Sequence, residues 1–398
     1  MTRGPEVRPA LSRVQRRKLR RLVLDAHSNV PMYRALYEPL NLSERDFADP
    51  HLLARLPVIT KSQLLADTAE NRVNRRYRMQ ALTRETTTGS TGQPFSIYLD
   101  RRYRLLRNLR FLKGLLAVGF RPWHRLLLLT DRYAGLSRHN LWYYQSVESP
   151  TEALVDAYLQ VCPEVLYGFA TPLRLLAECL AKRPRATPGP SLVVSTAEML
   201  DAATRLVLES AFGCPVADFY GMTETGLVAW QPAGRGSYVV AHNSVVTELL
   251  ADESCAGRYR IVMTNLELHA SPIIRFDSGD LAFAGIVDGR PSITAIEGRR
   301  IDSIACRDGS AVSPYRVTDA LRDVPGLRRF KVSQRTLSRF EIAAEVDVSL
   351  QSQAAAHIRS IFEKLFGGGL ELEFSFSEQL VTDGTRKFRP VESLVPRN

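Results

Sequence analysis

Four short stretches gather residue types that can do chemistry. Thr88-Gly-Ser-Thr-Gly-Gln-Pro94 offers hydroxyls and backbone N–H groups unobstructed by side chains. Such a nest suits phosphate oxygens, although it lacks the GK[ST] ending of a Walker loop. DFYGMTETG (Asp218–Gly226) sets an aromatic, a glycine, a hydroxyl and a carboxylate after a strand. Tyr220 can stack on a planar base, Thr223 can hydrogen-bond a phosphate, and Glu224 can hold magnesium, a hard cation that prefers oxygen. In IIRFDSGDLA (Ile273–Ala282) and EGRRID (Glu297–Asp302), Asp280 can accept both hydroxyls of a ribose and Arg299 can donate to ribose or phosphate. In DGTRKFRP (Asp383–Pro390), Lys387 is a compact charge on a long stem, suited to neutralising a phosphate. Each stretch also has a plain structural reading: a hairpin loop, a turn with a solvated acid, a surface salt bridge and an exposed tail lysine.

The elements around these stretches alternate. Apolar spacing over Ser12–Tyr37 predicts a helix that Pro31 ends, there or within its next turn, and a short helix capped near Thr60 or Ser62. PFSIYLD alternates like a strand. Asp100–Val118 reads as a helix with a basic face and a leucine-rich face. RLLLLT (Arg125–Thr130) is a continuous apolar run, as in a strand covered on both sides. Helices at Glu152–Gln160, Thr171–Ala181 and Ala202–Phe212 alternate with strands in PEVLYGFA, SLVVSTAEML and PVADFYG, which argues for a largely parallel sheet. From about Val239 the chain turns strand-rich, with strands expected at His242–Leu250, Gly257–Asn265 and Pro272–Phe276. After a break near Gly298, a compact α+β unit is expected: helix Pro314–Asp323, strands Arg328–Gln334 and Phe340–Val348, helix Gln353–Leu365 and strand Glu371–Phe376.

Composition narrows the classes. The chain has 398 residues, enough for two or three domains, with 45% hydrophobic and 24% charged residues. No apolar run is long enough to span a bilayer, and the N-terminus lacks a signal-peptide pattern. The five cysteines form no CxxC pair or zinc-type cluster, as expected of reduced thiols in a cytoplasm. The net charge of +11 has three readings: nucleic-acid binding through RVQRRKLRRL, attraction of polyanionic substrates such as ATP or CoA, or a solvated arginine-rich surface. No recognised nucleic-acid-reading module is present.

In order and spacing, NVPMYRALY, LPVITKSQL, TTTGSTGQPFSIY, VLYGFATPL, STAE, DFYGMTETG, PIIRFDSGDLA, GRRIDSIACRDGSAVSP and TRKFRPV resemble the AMP-forming acyl-activating (adenylate-forming ligase) superfamily. Within it they are most similar to the phenylacetate–CoA ligase and capsular-polysaccharide-protein-like branch. The resemblance spans roughly residues 28–392. It implies an α/β fold: a large N-terminal adenylation domain (1–297) with parallel-rich sheets and a small β subdomain, and a small mobile α+β C-terminal domain (298–398). It implies ATP, Mg²⁺ and, as co-substrate, CoA. Thr88, Gly89, Ser90, Thr91 and Gly92 would cradle the β- and γ-phosphates, and Ala197 and Glu198 would line the adenine pocket. Asp218, Phe219 and Tyr220 would flank the adenine, with Gly221 next in the same nucleotide-binding run. Thr223 would contact the α-phosphate, Glu224 the magnesium, and Asp280 and Arg299 the ribose. Lys387 would assist adenylation from the mobile domain, which would rotate about a hinge near Arg300–Asp302.

The sequence departs from the family pattern at three places. Ile301 replaces the first acid of the hinge, Arg386 replaces the glycine before the C-terminal lysine, and Gln93 and Phe95 stand where the phosphate loop often carries a lysine. The acid pocket is expected between the helix after the phosphate loop and the Tyr143, Tyr144, Tyr167, Gly168 and Phe169 region, whose aromatics suit an aryl or arylalkyl acid. CoA is the default acceptor, with a carrier-protein thiol, an amine or another nitrogen nucleophile as alternatives. A non-catalytic nucleotide-binding relative and a nucleic-acid-binding protein are the rival classes. A homodimer is the oligomeric state the resemblance suggests; no membrane partner is expected.

Overall fold

The computed structural model describes residues 9–43, 45–49, 51–87, 95–131, 135–183, 188–253, 257–287, 290–299, 303–321, 323–377 and 390–395. The helix expected over Ser12–Tyr37 is two helices. In α1 (Arg13–Asn29), the Ser12 hydroxyl accepts from the Gln15 N–H while the Gln15 side chain accepts from the Ser12 N–H, satisfying two otherwise orphaned donors. Proline has no N–H for the ladder, so the chain turns at Val30 and restarts as α2 (Pro31–Tyr37) with Pro31 in its first turn. Three short helices follow: α3 (Leu52–Arg55), α4 (Lys61–Ala66) and α5 (Ala69–Arg72). Thr60 caps α4 in a second capping box, with Gln63. Antiparallel β1 (Thr83–Thr87) and β2 (Phe95–Leu99) lead into α6 (Arg101–Ala117), whose first turn is capped by Asp100.

The central sheet is eight-stranded. Its strands are β3 (Leu126–Thr130), β4 (Ser137–His139), β5 (Trp142–Ser146), β6 (Val165–Phe169), β7 (Leu192–Thr196), β8 (Val216–Met222), β9 (Gly226–Gln231) and β10 (Val239–Val240), in the order β10-β9-β8-β7-β6-β3-β5-β4. The five inner strands, from β8 to β5, are parallel, and the edge strands antiparallel. Helices α7 (Thr151–Val161), α8 (Ala170–Ala181) and α9 (Ala202–Phe212) pack on one face, and α6 covers the other. The four leucines of β3 are therefore buried from both sides.

A four-stranded antiparallel sheet follows, ordered β11 (Val245–Ala251), β12 (Tyr259–Asn265), β13 (Phe276–Val287) and β14 (Arg290–Arg299). The strand expected at Pro272–Phe276 is absent: regular pairing starts only at Phe276. Arg275 is left-handed, with φ of 48°, which breaks the pleat. Its guanidinium is tied to the Glu248 carboxylate at 2.9 and 3.0 Å and to the Leu56 carbonyl. Its carbonyl accepts from the Ile59 N–H at 2.9 Å, and the Asp277 N–H donates to the Ile59 carbonyl at 2.8 Å. The segment thus serves as a clamp on the N-terminal chain just before α4.

The remaining described residues form a separate core. They comprise β15 (Ile304–Ala305), β16 (Ala311–Val312), α10 (Pro314–Leu321), β17 (Leu327–Gln334), β18 (Arg339–Val346), α11 (Gln351–Phe366), β19 (Glu371–Ser377) and β20 (Val391–Ser393). Their four-stranded sheet has the order β19-β18-β17-β20, with Phe340 and Phe362 at the centre of the packing. Strand β20 does not stand out in the sequence; it is three residues long and pairs in parallel with β17. The whole is a mixed α/β molecule with a parallel-rich main sheet.

Candidate active site

The strongest convergence lies where β8 turns into β9. Tyr220, at the end of β8, donates its hydroxyl to Asp280 Oδ2 at 2.7 Å, across sixty positions of sequence. One of the residues assigned to the adenine and one of the two assigned to the ribose are therefore neighbours. Asp280 stands opposite Arg299 in the β13–β14 register, which puts the second ribose candidate at the adjoining backbone position.

The turn after β8 carries Thr223 and Glu224. It is held from below by α6 and β12. The Thr225 carbonyl accepts three hydrogen bonds: from the Tyr103 hydroxyl at 3.1 Å, from Arg110 Nη1 at 2.9 Å and from Asn265 Nδ2 at 3.3 Å. Asn265 also donates to the Tyr103 oxygen at 2.7 Å. Buried Arg110 is balanced by Glu267 at 2.9 Å. A carbonyl with three fixed donors is hard to rotate, so the preceding carboxylate is held in place.

Glu224 is buried, and its Oε1 lies 3.2 Å from the ammonium of Lys61, the first residue of α4. That ammonium also sits 5.8 Å from the centre of the Phe95 ring, at the start of β2. Reading the sequence did not single out Lys61. The available signal was its place directly after a capping threonine in LPVITKSQL; its partner 163 residues away was invisible. The same holds for Tyr103, Arg110 and Asn265.

Behind Tyr220, Asp218 is buried and accepts a hydrogen bond from the Tyr238 hydroxyl. Burial raises its carboxyl pKa to about 6, and the Tyr238 bond and the nearby Arg205 charge only partly oppose this. Ala197 is left-handed at the end of β7, with φ of 64°. Its neighbour Glu198 accepts from the Thr171 N–H at 2.7 Å, joining the β7 turn to the start of α8. Thr196 donates to the Phe219 carbonyl at 3.2 Å, which fastens the same turn to β8.

The sheet divides the five residues expected to line the acid pocket. Tyr144 and Tyr167 face α6, and Phe169 shares that face by strand alternation. Tyr143 and Gly168 face the opposite layer: Tyr143 packs with the α7–α9 core, and a Cβ on Gly168 would lie 2.9 Å from Leu129 Cβ. On the α6 side, Phe111 meets Tyr167 edge-on at 5.3 Å, Phe219 at 6.2 Å and Trp142 at 6.3 Å. Trp142 belongs to the LWYYQ run expected to supply aromatic walls, whereas Phe111 is a member of this wall that the sequence motifs did not include. Thr88, Gly89, Ser90, Thr91, Gly92, Gln93, Arg300, Ile301, Asp302, Arg386 and Lys387 lie outside the described residues. Among the described residues, no group of three or more His, Cys, Asp or Glu side chains could cage a metal ion. A single carboxylate working beside substrate phosphates is the usual way magnesium is held, and Glu224 suits that role.

No family model matches the chain. The phenylacetate–coenzyme A ligase of Thermus thermophilus is 26% identical to it over 377 residues, covering 85% of this chain and 82% of that protein. The chain superposes on 2-hydroxyisobutyryl-CoA ligase in the postadenylation state with a TM-score of 0.75, at 18% identity, over 96% of this chain and 89% of that one. Against the same ligase in the thioesterification state, with 2-HIB-AMP and CoA, the TM-score is 0.62, at 18% identity, over 96% and 88% of the two chains. An anthranilate CoA ligase in complex with anthranoyl-AMP gives 0.55, at 14% identity, over 89% and 75%.

Proposed function

We propose that this chain, a member of the AMP-forming ligase superfamily, activates a carboxylic acid with ATP and passes the acyl group to the thiol of CoA. The observation that carries this reading is the hydrogen bond between Tyr220 and Asp280 beside the braced Thr223–Glu224 turn. The motif that carries the residues assigned to base, phosphate and metal meets, through Tyr220, the residue assigned to the ribose in a second motif. The similarity to phenylacetate–coenzyme A ligase and the wall of Phe111, Trp142, Tyr167 and Phe219 support an aryl or arylalkyl acid, while the 2-hydroxyisobutyryl-CoA ligase, which superposes with the higher TM-score, takes an aliphatic acyl group.

In the first step a carboxylate oxygen attacks the α-phosphorus, a P–O bond forms, and the α–β bridging bond breaks to release pyrophosphate. The substrate supplies the nucleophile, so the chain's task is positioning and charge stabilisation. Tyr220 flanks the adenine, Asp280 and Arg299 hold the ribose, and Thr223 donates to the α-phosphate. Glu224 is the residue that would hold magnesium, which neutralises phosphate charge when bound. Lys61 and Lys387 bring positive charge to the phosphates from opposite ends of the chain. In the second step the thiol sulfur bonds to the acyl carbon, the C–O bond to AMP breaks, and the thiol proton passes to solvent. We assign residues 1–297 to nucleotide and acid binding and 298–398 to a unit that turns about Arg300–Asp302 between the steps.

The test is pyrophosphate release from Mg-ATP over a panel of aryl, arylalkyl and aliphatic acids, followed by CoA-dependent AMP release. Acid-dependent release, lowered ~10²–10³-fold in Lys387→Ala, is expected. ATP binding with no release for any acid would point to a non-catalytic relative instead. AMP release that needs an amine and ignores CoA would replace the thiol acceptor by nitrogen.

A further inference from the structure

Helix α6 has a second face that the active site does not use. Its buried side carries Tyr103, Arg110 and Gly114. On its solvent side, Leu105 is 60% exposed, Leu109 52% and Leu116 41%. With half-buried Leu112 these leucines follow the spacing i, i+4, i+7, i+11, so they form one stripe about 60° wide and about 16 Å long. Trp123, 70% exposed, stands in the turn that follows.

The flanks of the stripe are cationic. Arg101 and Arg104 lie on one side, with Asn108, and Arg102 and Lys113 on the other; all are exposed. Arg104 donates to the Thr83 hydroxyl, and among the described residues Arg101, Arg102 and Lys113 join no ion pair. Between Asp100 and Asp131 the chain contains no acidic residue. An exposed leucine seam on a rigid helix, whose charged flanking residues on that helix are all basic, is unusual on a surface that faces water alone.

We propose that the outer face of α6 docks an acidic amphipathic helix of a partner protein. The width of the stripe selects this occupant. A helix lying in a membrane interface needs a broad apolar face, whereas a seam about 60° wide matches the narrow contact line of one helix against another. The charge selects it again: basic flanks meet acidic flanks and repel a second copy of themselves. Docking there places the partner one helix diameter, about 10–12 Å, from the Thr225 carbonyl that α6 braces.

The probe is a synthetic helical peptide with leucines at i, i+4, i+7 and i+11 and glutamates on both flanks, titrated by fluorescence anisotropy against the whole protein. A matched peptide with lysine flanks, and vesicles of phosphatidylserine and phosphatidylcholine, serve as alternatives. Binding of the acidic peptide is expected. Leu109→Glu should weaken it about tenfold or more while leaving the melting temperature unchanged, since Leu109 is exposed. The double variant Arg102→Glu/Lys113→Glu should shift the preference towards the lysine-flanked peptide. Equal binding of both peptides to wild type would overturn the proposal. So would Leu109-dependent binding to vesicles with no peptide binding, or light scattering that shows wild type pairing through Leu109.

Discussion

At the scale of single residues, the site is built from groups whose charge state depends on what surrounds them. Asp218 sits behind Tyr220 with its carboxyl pKa raised by burial from 3.8 to about 6. In the unfolded chain the group ionises near pH 4, so between pH 4 and pH 6 the folded state binds more protons than the unfolded one. Its contribution to stability is therefore present below pH 4 and is lost as pH rises through 6. Replacing Asp218 by Asn removes this dependence. The stability difference between wild type and variant is expected to change by on the order of 3 kcal/mol across that window, read from denaturant melts at several pH values. Lys61 offers a second prediction. Its ammonium faces Glu224 at 3.2 Å, so Lys61→Ala should slow pyrophosphate release by about 10²-fold, with part of the rate recovered in Lys61→Arg.

At the scale of elements, α6 does the most to unite distant parts of the chain. Asp100 starts it, and its inner face supplies Tyr103 and Arg110 to the Thr225 carbonyl. Gly114 lets it lie close to the sheet: a Cβ there would come within 2.6 Å of Leu227 Cδ2 and 3.2 Å of the Phe219 ring. Arg110→Met would leave buried Glu267 with Lys18 as its remaining cationic partner. Breaking a buried pair in this way costs about 3–5 kcal/mol. The same change loosens the Thr225 carbonyl, so calorimetry should show weaker binding of Mg-ATP, with ATP in EDTA affected less. An equal loss under both conditions would mean that Arg110 supports the fold alone.

At the scale of the whole molecule, the residues after β14 carry their own core around Phe340, Phe362 and Ile342. Phe340→Ala should cost about 3–5 kcal/mol and split calorimetric unfolding into an early transition of the C-terminal unit and an unchanged later one. A single lowered transition would mean that the two units unfold together. The chain superposes more closely on the postadenylation state of 2-hydroxyisobutyryl-CoA ligase than on its thioesterification state, with TM-scores of 0.75 and 0.62. A contact that joins the units in this arrangement is the bond from Arg174 Nη2, on α8, to the Arg328 carbonyl, on β17, at 2.9 Å.

What the sequence alone determined was local. Hydrophobic periodicity, caps and glycine turns marked α6, the leucines of β3, the Thr60 cap and the β–α alternation, because each of these signals is written in neighbouring residues. The resemblance in motif order proposes Tyr220, Thr223, Glu224 and Asp280 as one functional set, and the hydrogen bond between Tyr220 and Asp280 joins two of them. Tertiary structure decided the rest. It turned Pro272–Phe276 from a strand into a clamp, since the left-handed Arg275 is held by Glu248 and Leu56 from far along the chain. It put Tyr143 and Gly168 on the other side of the sheet from Tyr144 and Tyr167, because adjacent residues of a strand point to opposite faces. It also brought Lys61 to Glu224 and three donors to Thr225. Those contacts join residues 40 to 163 positions apart, and only packing brings such residues together.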